Sequence, residues 1–142
     1  MHEALYEEEI VITVRPNHPL AKKRKVTLPM LLEWDWILPP HETTLRRQIE
    51  KEFDDGGLPM PRCAVESVTP LTNRQLLKET DLIGVFPAYA AGEDIRAKIL
   101  VKLPISLQSA LGPVGITTRR DGRLPPVVLG FVDELRAVSK SM

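Results

Sequence analysis

Residues 7–53 read EEEIVITVRPNHPLAKKRKVTLPMLLEWDWILPPHETTLRRQIEKEF, and the order of patterns in this stretch decides the fold class. A strand of buried type, Ile10 to Val14, runs into Arg15-Pro16-Asn17-His18-Pro19-Leu20-Ala21. Thr27 then caps a short helix holding Pro29, Met30, Leu31 and Leu32. Proline is tolerated in a first turn, where its missing N–H would have no partner. A second strand, residues 36–39, ends in a polar turn, and a helix follows from about residue 44 to 55. Leu45, Ile49 and Phe53 fall four apart on one buried stripe, and Gly56-Gly57 ends the helix. Strand, helix, strand, polar turn, helix N-terminus is how an open α/β sheet builds a ligand site at its strand ends.

The alternation continues outward, which predicts an α/β fold. Further strands are expected at 63–66, 82–86, 99–103 and 114–118, and the first at about 8–14. Helices are expected at 70–78, 88–95 and 126–139, and a turn at 119–123. Thr69 before Pro70 has the form of a cap followed by proline at the first helical position. The last helix carries Val128, Phe131, Val132, Leu135 and Val138 on one face. Residues 15–105 read as a compact lobe. The two ends, with Ile10, Ile12 and Val14 on one side and the last helix on the other, carry apolar faces that need a partner.

With 142 residues and 43% hydrophobic content, the chain can bury one real core. No apolar run is long enough to span a bilayer, and the acidic start lacks the form of a secretory signal. Lysine plus arginine and aspartate plus glutamate number 19 each. A chain that grips phosphate backbones unaided is usually clearly basic, so direct nucleic-acid binding is not expected. The single cysteine, Cys63, cannot form an internal disulfide, which fits a reducing cytosol.

The turn from Pro39 to Arg47 is the leading candidate site. A helix N-terminus leaves N–H groups free and carries partial positive charge, so an anion can rest there. Thr43 and Thr44 add hydroxyls. Arg46 and Arg47 sit against the dipole, a penalty that a bound anion would remove. The alternative is that a threonine merely caps the helix and the arginines are solvated. Ser67 to Thr69 is a second hydroxyl-rich strand-to-helix turn, with capping as its plainer reading. Phe86-Pro87 closes a strand and either lines a cleft or belongs to the core. His2, His18 and His41 lack metal-site spacing. Cys63 sits within a strand as a small hydrophobe, and no serine has a nucleophile-elbow context. No enzyme, metal or cofactor is therefore expected. The basic run Lys22-Lys23-Arg24-Lys25 reads as a solvated loop, and Trp34 and Trp36 as packing residues.

These residues resemble one family. The stretch 7–40, with His18-Pro19-Leu20-Ala21 as its most specific piece, is similar to the middle of the effector-binding domain of LysR-type bacterial transcriptional regulators. The stretches TTLRRQIEKEFDDGGLPMPRCAVES, RQLLKETDLIGVFPAYAA and LGPVGITTRRDGRLPPVVLGFVDELR resemble its following elements in order, so the likeness covers about residues 6–137. It implies a fold like type 2 periplasmic binding proteins, in which two lobes joined by crossing strands hold an effector. On that mapping residues 1–14 are a crossing strand from the first lobe, 15–105 the second lobe, and 106–142 the return strand and terminal helix of the first. The resemblance implies effector contacts from Pro40, His41, Thr43 and Thr44, with Ser67, Thr69, Phe86 and Pro87 facing the same cleft. Thr117 and Thr118 would lie near the hinge. Thr80-Asp81 stands where many members carry a glycine-containing turn.

The resemblance further implies a cytoplasmic sensor of a small anionic or polar effector, acting as a dimer or tetramer. DNA would be met only through an N-terminal domain absent from this sequence. The alternatives at this point are a stand-alone solute-binding module, which a signal peptide would support, and a small hydrolase, which would need a nucleophile–base pair.

Overall fold

Both faces of β2 (Ile10–Val14) are buried in the computed structural model, and the alternation of its side chains shows why. Ile10, Ile12 and Val14 point to one side of a sheet, together with Trp36 and Leu38 of β3 (Trp36–Leu38) and Ile83 and Val85 of β5 (Ile83–Pro87). That face packs against Leu31 of α1 (Leu28–Leu31) and Ile49 and Phe53 of α2 (Thr44–Asp55). Val11, Ile37 and Phe86 point to the other side, against Leu77 of α3 (Pro70–Glu79) and Ala91 of α4 (Ala88–Arg96). A strand buried on both faces reads as an apolar run rather than an alternation. Each such side chain contributes about 1.5–3 kcal/mol of burial, and the Trp36 and Phe53 rings add an edge-on contact at 5.8 Å.

The sheet has five strands in the order β4-β3-β5-β2-β6, with β4 at Cys63–Glu66 and β6 at Val101–Lys102. β3 pairs in parallel with both β4 and β5, while β2 runs antiparallel to β5 and β6. From β3 the chain crosses to β4 on one side, then returns to place β5 on the other. The point where connections diverge is where open α/β sheets open a crevice, at the carboxyl ends of the parallel strands.

The structure describes residues 1–120 and 122–142. Asp121, in the turn expected at 119–123, lies outside the described residues. Two compact units result: residues 9–111, which hold the five-stranded sheet, and residues 1–8 with 112–142. In the second, β1 (His2–Glu8) pairs antiparallel with β7 (Gly112–Thr117), and α5 (Pro126–Lys140) packs on β1. Arg136 donates two hydrogen bonds to the Glu3 carboxylate, both at 2.7 Å. That pairing holds the Glu3 carboxyl below, and the Arg136 guanidinium above, their ordinary ranges. Val127, Leu129, Phe131 and Val138 of α5 are exposed.

Three elements depart from expectation. The acidic stretch before Ile10 is a separate strand, β1, and β2 lies inside the five-stranded sheet rather than continuing it. A 3-10 helix, Pro19–Lys22, forms between β2 and α1, where the sequence reading placed no helix. The strand expected at 99–103 pairs only over Val101–Lys102.

Two buried polar groups tie loops to this frame. His18, with no exposed surface, accepts the Leu20 N–H at Nδ1 and so donates from Nε2 to the Asp81 carbonyl, 3.0 Å away. Glu52 on α2 accepts the N–H groups of Gln108 and Ser109, each at 2.8 Å.

Candidate effector site

The three parallel strands end side by side, and each feeds a helix. β3 leads through Pro39 and Pro40 into α2, β4 through residues 67–69 into α3, and β5 through Pro87 directly into α4. Where they converge lies a cavity of about 270 Å³. Pro39, Thr43, Leu45, Ser67, Val68, Pro70, Asn73, Val85, Phe86, Pro87 and Ala90 line it, so its walls are mostly apolar and carry no ionised side chain. A second hollow of about 280 Å³ follows residues 105–110 beside Glu9, Ile10 and Lys102, and Ile10 pairs with Pro87 at the end of β5.

The α2 turn is held from within. The Thr43 hydroxyl donates to the Pro40 carbonyl at 2.7 Å and accepts the Arg46 N–H at 3.2 Å, a side-chain N-cap. The N–H groups of Thr44 and Leu45, at the first two helical positions, fall outside the helical ladder. Arg46 corrects the expectation of arginines either solvated or waiting for an anion. It is 6% exposed, and its guanidinium donates to the Glu50 carboxylate at 2.7 Å and the Pro39 carbonyl at 3.0 Å. Glu50 thus already supplies the counter-charge, and the guanidinium stitches the turn to the helix. Arg47 reaches back to the Glu42 carbonyl at 2.7 Å and the Thr44 hydroxyl at 3.3 Å.

At the α3 turn the Ser67 hydroxyl accepts the Thr69 N–H at 3.2 Å, which leaves its own proton to donate. Thr69 occupies the N-cap position, yet its side chain makes no capping bond. Asn73 Nδ2 donates to the Ser67 carbonyl at 3.3 Å.

Of the residues singled out from the sequence, Thr43, Ser67, Phe86 and Pro87 come together on the cavity wall. Pro40, His41, Thr44 and Thr69 stand beside it in the two turns and are not part of the lining. The His41 ring lies between Glu50, 3.0 Å from Nδ1, and Arg46, 3.3 Å from Nε2. Thr117 belongs to β7 in the other unit, with its hydroxyl 3.1 Å from His2 Nδ1. The readout from sequence missed Asn73. A signal was present, since Asn73 lies four residues before Leu77 and so shares the buried stripe of α3. Among the described residues no group of three His, Cys, Asp or Glu could hold a metal, and no helix is long and apolar enough to cross a membrane.

The sequence matches the model of the LysR substrate binding domain over residues 2–140. It is 33% identical to the uncharacterized HTH-type transcriptional regulator YdcI of Escherichia coli (strain K12), over 99% of this chain and 45% of that protein. It is 29% identical to the HTH-type transcriptional regulator GbpR of Azospirillum brasilense, over 97% of this chain and 41% of that one. The chain thus spans less than half the length of these relatives. Among solved structures it is similar to the regulatory domain of CcmR from Synechocystis PCC6803 in complex with 2-PG. There the TM-score is 0.81 at 19% identity, over 100% of this chain and 68% of that one. The effector binding domain of QuiR in complex with shikimate gives 0.76 at 18% identity, over 99% and 66%.

Proposed function

The chain belongs to the LysR substrate binding domain family, and from that premise we propose that it senses a small anionic or polar effector for a LysR-type bacterial transcriptional regulator. Its fold is the periplasmic-binding-protein type 2-like α/β fold of such regulatory domains. The observation that carries the proposal is the convergence of three parallel strand ends and the α2 N-terminus on one mostly apolar cavity. An apolar pocket with a few placed polar groups suits a small organic ligand. The free N–H groups at the start of α2 and the Ser67 hydroxyl favour an anionic end on it. The compounds in the CcmR and QuiR complexes, 2-PG and shikimate, fit that class.

On this reading the residues assigned to effector contact are Pro40, His41, Thr43, Thr44, Ser67, Thr69, Phe86, Pro87 and Thr117. Residues 15–105 lie in the second lobe, residues 1–14 cross into it from the first lobe as the two strands β1 and β2, and residues 106–142 hold the return strand and terminal helix of the first lobe. Ligand binding acts by population shift, favouring one lobe and oligomer arrangement in proportion to its differential affinity. The protein works in the cytoplasm as a homo-oligomer, carries no catalytic chemistry, and meets DNA through a separate domain of the longer regulator. Similarity to HTH-type regulators favours this over a stand-alone solute-binding module.

Val68 provides the test, being 61% exposed on the cavity wall, so that substitution there costs little folding energy. Val68→Asp is expected to weaken binding of small carboxylates at least tenfold, about 1.4 kcal/mol, while Val68→Lys retains it. Calorimetric titration that finds both variants equal to the parent would overturn the anion-binding reading.

A further inference from the structure

Three of the residues lining the cavity, Pro39, Pro70 and Pro87, are prolines, whose rings hold the backbone φ fixed. Val85 and Phe86, on the same wall, are 4% and 7% exposed and packed into the two sides of the sheet core. The wall is therefore stiff before anything enters it. Its polar groups are mostly committed already. The Thr43 hydroxyl gives its proton to the Pro40 carbonyl at 2.7 Å. The Pro39 carbonyl is taken by Arg46 at 3.0 Å, and the Ser67 carbonyl by Asn73 at 3.3 Å. The Asn73 amide turns its nitrogen to that bond, and its oxygen is shut off from any ligand. Of the lining hydroxyls only that of Ser67 keeps its proton, since it is bonded as an acceptor alone, to the Thr69 N–H. A ligand with hydroxyls around its body gives up water at each of them and finds few partners here, which is costly. An apolar body gives up no such bonds.

We infer that the effector is a carboxylic acid on an apolar ring, aromatic or alicyclic, whose ring lies against Val68, Phe86 and the three prolines, and that the site turns away sugar acids of the same size and charge. This rests on the cavity being the effector site. The free N–H groups at the start of α2 serve the carboxylate on that reading, and they serve it equally in both kinds of acid. The choice between the two is therefore made by the wall that meets the body. A rigid ring loses little freedom on entering a stiff cavity. The volume of about 270 Å³ lies at the small end for ligand sites, which suits one ring rather than two.

The test titrates the 142-residue chain with four monoanions, each built on one six-atom ring: benzoate, cyclohexanecarboxylate, glucuronate and galacturonate. Amide-resonance NMR reads the site through Ser67, Val85 and Ala90. Benzoate and cyclohexanecarboxylate are expected to shift these resonances and to bind at least about tenfold tighter than either uronate. Val68→Asn, a neutral change at a side chain 61% exposed, is expected to narrow that gap to about threefold, while Val68→Leu keeps it. Uronates that bind as tightly as the apolar acids, or tighter, overturn the inference and leave the cavity as an effector site. A gap that Val68→Asn leaves untouched puts the ring away from this wall and overturns it as well. If none of the four acids shifts a cavity resonance in the parent chain, the reading of the cavity falls together with it.

Discussion

His18 spends both ring nitrogens on the backbone, and only the neutral ring can do so. Burial pushes its pKa down, against the opposing pull of the Asp81 carbonyl. The unfolded chain therefore takes up the proton first, with an ordinary value of about 6.5. Stability from the neutral ring is fully present above that pH and is lost as pH falls through it, because the unfolded state then binds more protons. Urea midpoints measured from pH 8 down to pH 5 are expected to decline below about pH 6.5. In His18→Asn that part of the decline is expected to vanish, on a baseline lower by about 2 kcal/mol for the two altered hydrogen bonds. An unchanged pH slope in the variant would refute the assignment. His18 had drawn notice in the sequence as part of the His-Pro-Leu-Ala motif. Its role is to pin the 3-10 helix to the backbone just before β5, with the Trp34 ring tilted against its own at 4.4 Å between centres.

At the scale of elements, α3 is set against the sheet by an absence. Gly84 on β5 faces Leu77, and a Cβ there would stand 2.5 Å from Leu77 Cδ1 and 3.1 Å from a ring carbon of Phe86. Both side chains are buried, so neither can swing clear. Gly84→Ala is expected to cost about 1–3 kcal/mol by overpacking, read as a fall in the denaturation midpoint. Because α3 carries Asn73 and Pro70 on the cavity wall, the same variant is expected to disturb ligand binding. The helices were legible from sequence where a stripe and a cap coincide. The stripe Leu45, Ile49 and Phe53 and the Thr43 cap delimit α2 at Thr44–Asp55. β1 was not legible from local pattern, only through the family resemblance, because His2–Glu8 is rich in residues that strands disfavour and owes its shape to pairing with β7, more than a hundred residues on. The 3-10 helix has too few residues to show a period. Of the site, the two hydroxyl turns and the Phe86-Pro87 strand end could be named. The inward side of Asn73 depends on how α3 packs, which local pattern only hints at.

The whole molecule leaves the apolar residues Val127, Leu129, Phe131 and Val138 of α5 facing solvent. An apolar surface of this kind favours association. Sedimentation of the chain at rising concentration is expected to show self-association, and Phe131→Glu is expected to shift it toward monomer; a parent chain that stays monomeric would count against the homo-oligomer. One further property follows from Glu52. The twelve residues of α2 make a rod about 18 Å long. Its first turn forms part of the cavity wall, and near its far end Glu52 grips the backbone at 108 and 109, just before the chain leaves this unit at residue 111. A stiff rod clamped in this way does not bend separately at its two ends. Were a ligand to displace Thr43, α2 would carry the shift to the backbone at 108 and 109 through the Glu52 carboxylate, as a lever carries it through a coupling pin.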